Sequence, residues 1–263
     1  MKERSKNKTR RRTRNIVAAI AALAGAGLLL YPGADNLLYA NKIAVEKEAF
    51  LTRIQEMNNP GSPGYDDVDN YGNNNDIDNS ANEAPKSGPF EELYQYLMAE
   101  NERLYMTGQD ELTDAFSYQT AGIDLSGYGL KDGCIGYLEA PTIGVLMPIY
   151  LGANTENMKK GAVHMTQTSY PIGGDNTNAV IAAHRGGTRE MLRNIHQIQI
   201  GDEIIITNFR ERLVYRAVEV RIILPTQIGE VKIQEGHDLL TLLSCNPLGK
   251  NYQRYVLYCE RQS

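Results

Sequence analysis

The chain has 263 residues, with 27 Lys+Arg against 32 Asp+Glu and three cysteines. Eight of the basic residues fall in the first fourteen positions, so the remainder carries 19 basic against 31 acidic side chains, a balance of −12 that argues against a nucleic-acid partner. Three cysteines make no even disulfide framework, and the absence of CxxC and HExxH spacing and of a Gly-rich phosphate loop indicates neither metal nor cofactor.

The N-terminus reads as a basic cytoplasmic tail, 1–14, followed by an apolar run. Ile16 to Tyr31 holds sixteen residues without a charge. A basic flank ahead of an apolar run marks a signal peptide or an anchor with its basic end in the cytoplasm. The run is short for a span, which needs about 20 residues. Pro32 to Asn36 is expected to break it, with Leu37–Ala40 extending it into the interface. No small-x-small cleavage site follows, so 15–40 is read as an uncleaved transmembrane anchor. Asn41 to Glu56 has helical spacing. Met57 to Gly88 is rich in Asn, Asp, Gly, Pro and Ser and too poor in apolar residues to fold, so 41–88 is expected to be a helix plus a flexible linker. Its acids (Asp66, Asp67, Asp69, Asp76, Asp78) lack the spacing of a calcium loop.

Pro89 to Met106 predicts an amphipathic helix, with Phe90, Leu93, Tyr94, Leu97, Leu104 and Tyr105 recurring every three or four positions. Thr107 to Gly133 is a long polar loop, and loops of that length often act as lids. From Cys134 onward the pattern is β. β-like runs occur at 134–138, 143–150, 179–183, 203–207, 213–224, 239–244 and 254–259, with a short helical segment at 190–197. Short strands separated by turn clusters predict one β-barrel or sandwich domain over 134–263.

Three residues in this part carry chemistry. Cys245 ends an apolar run in TLLSCNPLGKNYQR (241–254), and Arg254 opens the next run nine residues later. If those runs pair as neighbours, the thiol faces the guanidinium. A nearby cation lowers a thiol pKa, and an arginine can donate to a developing oxyanion. Read alone, a lone cysteine is more often a small buried hydrophobe. His184 follows the run Val180–Ala183 and precedes Gly186-Gly187, at a strand end from which an imidazole can serve as general acid/base. His164, His196 and His237 sit in turn-rich or helix-end contexts and read as structural or solvated.

With these residues on the page, the sequence resembles the sortase family of cysteine transpeptidases, and most of all its class C, pilin-polymerising members. The resemblance is carried by LEAPTIGVLMPIYLGA (138–153), GAVHMTQTSYPIGGDNTNAVIAAHRGG (161–187), GDEIIITN (201–208) and TLLSCNPLGKNYQR (241–254). It implies an eight-stranded sortase-type β-barrel with short helices, preceded by an N-terminal transmembrane helix and the amphipathic helix. It implies that Cys245 attacks the Thr carbonyl of a Leu-Pro-x-Thr-Gly-like sorting signal on a pilin or surface protein. His184 then protonates the leaving amine, and Arg254 holds the oxyanion or the substrate backbone. An amine resolves the thioacyl enzyme: a pilin lysine in class C, a cell-wall precursor in housekeeping relatives. The implied location is the cell membrane of a Gram-positive-type surface, single-pass, with the catalytic domain outside.

Class C members also carry an Asp-Pro-aromatic lid. Asp114-Ala115-Phe116 lies in the corresponding interval, with Ala115 in place of proline. Asp114 is expected to pair with Arg254 or Arg185, and Phe116 to cover the thiol. Ser244 stands where the family usually has threonine. The competing readings are a cell-wall-anchoring sortase, a cysteine endopeptidase releasing product to water, and an anchored β-barrel without enzymatic activity.

Overall fold

The computed structural model describes residues 2–58, 89–130, 133–186 and 191–262. The chain divides into two compact units, Met1–Lys42 and Ile43–Ser263. The first consists of the N-terminal part of helix α1 (Lys2–Met57). That helix runs without interruption through 32–36, where the sequence predicts a break. A proline removes only one hydrogen bond from the ladder, and helix continues on both sides of it. Among the described residues no helix is long and apolar enough to cross a membrane. Met57, the first residue of the expected linker, is instead helical and buried, and the rest of that segment, 59–88, lies outside the described residues.

The second unit is built on a closed barrel. Its eight strands are β1 (Cys134–Ala140), β2 (Val145–Leu151), β3 (Ala162–His164), β4 (Thr177–Ala182), β5 (Glu203–Asn208), β6 (Arg212–Ile223), β7 (Asp238–Asn246) and β8 (Gln253–Arg261). Around the barrel they follow the order β1-β2-β3-β4-β7-β8-β6-β5, and β5 pairs back onto β1. The expected barrel is therefore present, and the sandwich alternative is not. β3 is the strand the sequence does not reveal: three residues, parallel to β2, are too few to show a period. The predicted run 143–150 is divided differently, with a 3-10 turn at Pro141–Ile143 before β2. The helical segment predicted at 190–197 reduces to a 3-10 turn at Ile195–Gln197, and 187–190 lies outside the described residues.

Two apolar clusters hold this unit. The larger fills the barrel and includes Leu138, Ile149, Ile181, Leu240, Leu242, Tyr255 and Leu257. Helix α2 (Pro89–Thr107) caps it with Phe90, Leu93 and Leu97, as its amphipathic spacing predicts, and Phe90 packs 5.6 Å from Phe209 between ring centroids. The C-terminal part of α1 also packs there: Phe50 meets Tyr137 edge-on at 5.3 Å, and Lys47 pairs with Glu139 at 2.6 Å. The smaller cluster lies on the other face of β4, β7 and β8 and includes Val180, Ala182, Leu243, Val256 and Tyr258. Consecutive strand residues point to opposite faces. Leu243 and Val256 in the smaller cluster therefore put Cys245 and Arg254 on that same face, while Ser244, Asn246, Gln253 and Tyr255 point the other way.

Candidate active site

Strands β7 and β8 are antiparallel neighbours, and Cys245 and Arg254 are direct cross-strand partners. The condition under which the sequence brings thiol and guanidinium together is met, with Arg254 Nη1 4.0 Å from Cys245 Sγ. The third residue arrives through a parallel pairing. β4 runs alongside β7 with Ala182 opposite Leu243. Two residues beyond that pair, on each strand, stand His184 and Cys245. Backbone bonds extend the pairing past the end of β4, from Ala183 N–H to the Leu243 carbonyl at 3.2 Å. Ser244, fully buried, donates its hydroxyl to the Ala183 carbonyl at 2.7 Å. A hydroxyl is what this position needs, so serine serves where the family usually has threonine.

Arg254 is almost fully buried and each of its three guanidinium nitrogens is engaged. Nε and Nη2 give a two-pronged bridge to the Asp114 carboxylate, each at 2.8 Å. Nη1 donates to the Asn251 and Gln253 carbonyls at 2.7 and 3.0 Å. Of the two cations expected for Asp114, the structure selects Arg254. Phe116 lies against the same group, its ring centroid 4.7 Å from the guanidinium carbon and 6.1 Å from the His184 ring. Charged-group hydrogen bonds with this fork geometry are among the stronger ones in proteins. The bridge side chains are 5% and 10% exposed, so water screens it little.

The segment carrying Asp114 is ordered by more than that bridge. Asp114 caps a 3-10 turn at Ala115–Ser117, accepting from Phe116 N–H at 3.2 Å. Ala115 is fully buried in the smaller apolar cluster, so packing supplies the restraint that a proline ring would otherwise provide. Two buried glutamines, five residues to either side of Asp114, tie the segment down. Gln109 donates to the Gln167 carbonyl at 2.9 Å and accepts from Ile233 N–H at 2.7 Å. Gln119 bonds the Thr113 hydroxyl at 3.0 Å and accepts from Thr166 N–H at 2.8 Å. Neither glutamine stands out in the sequence. Their signal was their symmetric spacing about Asp114, which carries no meaning until the partner loops are known. Gly152, at φ +84, allows the trailing end to come close: a Cβ there would sit 2.6 Å from Ala121 N.

Local electrostatics follow from this packing. Burial raises the Cys245 thiol pKa, Arg254 pulls it down and Asp114 pushes it up, leaving it above the ordinary thiol value. Burial holds the His184 imidazole below its ordinary value. For Arg254 burial acts against the charge, but the bonds and charge of Asp114 outweigh it and the pKa is raised. The arrangement is a shielded thiol facing a guanidinium whose outer fork is held by a carboxylate.

The other histidines are elsewhere. His164 is buried in β3, with Nε2 3.0 Å from the Ser169 carbonyl and its ring stacked 5.0 Å from Tyr170. His237 is exposed beside Glu260 at 2.8 Å, and His196 is in the 3-10 turn at 195–197. Of the other cysteines, Cys259 is buried in the barrel and Cys134 opens β1. Among the described residues no cluster of His, Cys, Asp and Glu fits a metal ion.

Comparison with known proteins gives one consistent set of matches. The Sortase domain profile matches residues 138–262. Sortase D of Bacillus subtilis is 26% identical over 129 residues, covering 48% of this chain and 63% of the relative, so the chain spans less than two thirds of that protein. Among solved structures, sortase C2 of Group B Streptococcus pilus island 1 is 31% identical with a TM-score of 0.57, covering 64% of this chain and 97% of that one. Sortase C1 of the same island is 28% identical with a TM-score of 0.60, covering 66% and 83%.

Proposed function

Because the chain belongs to the sortase family, we propose that it is a cysteine transpeptidase of the pilin-polymerising kind, cleaving a Leu-Pro-x-Thr-Gly-like sorting signal. The observation that carries the pilin-specific part is the Asp114–Arg254 bridge with Phe116 laid between Arg254 and His184. The solved structures it is most usefully set beside are named as sortases of a pilus island.

In the proposed reaction the Asp114 segment first moves away. That frees Arg254 Nε and Nη2, the two donors now occupied by a carboxylate. Cys245 gives its proton to His184, the resulting thiolate attacks the scissile Thr carbonyl, and the new oxyanion takes the place of the Asp114 oxygens on the guanidinium. Collapse breaks the C–N bond, and His184 gives its proton to the departing amine. A second amine, a pilin lysine, attacks the thioacyl carbonyl, with His184 taking its proton, and expels the thiolate. Opening also lowers the barrier to forming the nucleophile, since both burial and Asp114 raise the thiol pKa in the closed state.

Residues 1–40 fit an anchor holding the catalytic unit at the outer face of a cell membrane. The support is the basic tail followed by sixteen uncharged residues. Separation between detergent-soluble membrane and cytosol fractions of expressing cells tests this part.

The reaction is tested with a quenched fluorescent Leu-Pro-Glu-Thr-Gly peptide, with and without an amine acceptor. Transfer to the amine, through a Cys245 adduct seen by mass spectrometry, supports the reading. Acceptor-independent hydrolysis indicates an endopeptidase, and transfer only to a cell-wall precursor amine indicates the anchoring kind of sortase.

A further inference from the structure

On the reverse face of the sheet from Cys245, three polar side chains are joined in a row. Arg185 Nη1 donates to Asn246 Oδ1 at 2.7 Å, and Asn246 Nδ2 donates to Gln253 Oε1 at 3.0 Å. Each of the three is the immediate chain neighbour of one residue of the proposed active site: Arg185 follows His184, Asn246 follows Cys245, and Gln253 precedes Arg254. Asn246 and Gln253 are themselves a cross-strand pair, one step from the Cys245–Arg254 pair. The same row therefore links the ends of β4, β7 and β8 at the level where their reactive side chains emerge on the opposite face.

Arg185 is an unusual choice for a barrel wall. It is 7% exposed, its guanidinium carbon sits 4.9 Å from the Tyr255 ring centroid, and its Nε has no hydrogen-bond partner. Among the described residues no carboxylate pairs with it. A buried cation without a counter-charge opposes folding, and an apolar side chain on Tyr255 would be the more stable solution. What the guanidinium supplies is a directed donor to Asn246 at a fixed distance from His184.

We propose that Arg185, Asn246 and Gln253 form a positioning relay that holds His184, Cys245 and Arg254 in mutual register. The inference rests on the roles proposed above for those three residues. None of the relay residues touches substrate. β4 ends at Ala182, and beyond it the described bonds joining the His184 segment to β7 are those of Ala183 and Ser244, then Arg185 to Asn246. Without the last of these, Ala183 alone ties the His184 segment to β7, and His184 keeps only its carbonyl bond from Leu192 N–H at 3.1 Å. The Asn246–Gln253 bond restrains the same strand ends from which the thiol and the guanidinium face one another.

The test uses neutral, near-isosteric breaks in the full chain: Asn246→Leu, Gln253→Leu and the double variant. The first readout is the pH profile of iodoacetamide alkylation, mapped to Cys245, which needs no substrate. Loosening the Cys245–Arg254 pair withdraws the cation from the thiolate. Each single variant is expected to alkylate roughly threefold to tenfold more slowly at pH 7, with its profile moved to higher pH. The double variant is expected to match the singles, because partners in one network do not contribute independently. The second readout is cleavage of the Leu-Pro-Glu-Thr-Gly peptide, expected to lose about tenfold or more in kcat with KM unchanged, since misplacement of reacting groups is costly. Gln253 is only half-buried, so Gln253→Leu keeps the test decisive if Asn246→Leu does not fold. A parental alkylation profile in Gln253→Leu, or additive losses in the double variant, overturns the relay. A parent protein that leaves the peptide intact instead counts against the proposed function, and the alkylation profiles still judge the relay.

Discussion

Asp114 grips Arg254 through both prongs of its guanidinium, at 2.8 Å each, while the remaining nitrogen of the same guanidinium stands 4.0 Å from Cys245 Sγ. One arginine thus serves two masters in turn: a carboxylate in the closed state and, in the proposed reaction, an oxyanion. The two demands compete for the same donors, so strengthening the first weakens the second.

Asp114→Ala with Phe116→Ala is therefore expected to speed alkylation of Cys245 and to raise peptide cleavage. The pH profile of alkylation should also move to lower pH. The sign follows from the local charges: burial and Asp114 both raise the thiol pKa, Arg254 lowers it, and the double change removes the two that raise it. The closed state restricts access as well, reducing apparent affinity by the fraction of molecules that are open. Equal alkylation rates in the variant and the parent would show that residues 107–133 do not restrain the site.

Arg254→Lys keeps the charge and loses the fork. A lysine ammonium cannot match a carboxylate or an oxyanion with two parallel donors. Cleavage is expected to fall about 10²–10³-fold, the usual cost of losing an oxyanion donor. Turnover near the parental rate would reduce Arg254 to a diffuse positive charge.

Cys245→Ala should eliminate the covalent peptide adduct and leave the fold in place. The side chain is only partly buried and the volume removed is small. Mass spectrometry of the variant incubated with the sorting peptide checks this, and an adduct still present would move the nucleophile elsewhere.

His164 makes stability depend on pH at a distance from the chemistry. It is buried, and that burial holds its imidazole down to about 4, against 6.5 when unfolded. A depressed folded pKa contributes stability above the unfolded value and loses it as pH falls toward the folded one. The loss between pH 6.5 and 4 is ~3 kcal/mol. Thermal unfolding midpoints should drop across this window, and His164→Gln should be less stable at pH 7 yet show a flatter dependence. Parallel curves for the two proteins would place the acid sensitivity in other groups.

Gln109 and Gln119 offer a separate handle on the closed state. Each ties the Asp114 segment to neighbouring loops through a buried amide that both donates and accepts. Gln119→Leu leaves Thr166 N–H without its acceptor, a loss of about 1–3 kcal/mol if the group stays buried. Faster alkylation of Cys245 in this variant, with Asp114 intact, is the expected result. An unchanged rate would mean that the Arg254 bridge alone keeps the segment closed.

The sequence by itself determined the parts that depend on local pattern. Short apolar runs bounded by turn clusters locate seven of the eight strands, because a strand buried on both faces reads as a brief continuous apolar run. The spacing of apolar residues in 90–105 marks α2, which caps the barrel as expected. The Cys245–Arg254 pairing is also legible, since a short loop between two β-like runs leaves an antiparallel neighbour as the simplest arrangement. Helix continuity through Pro32 and the three-residue β3 were not legible, because a single proline is an ambiguous signal and three residues show no period.

Only the tertiary structure decided what depends on contacts distant in sequence. The choice of Arg254 over Arg185 for Asp114 spans 140 positions, and both cations satisfy the sequence equally. Burial of Ala115, which replaces the rigidity of proline, depends on the shape of a cluster assembled from five strands, the short helix Thr155–Lys160 and the 3-10 segment Pro225–Val231. The Arg185–Asn246–Gln253 row exists because β4 and β7 run parallel while β7 and β8 run antiparallel. That topology brings three chain neighbours of the reactive residues onto one face, and local sequence carries no record of which strands will lie side by side.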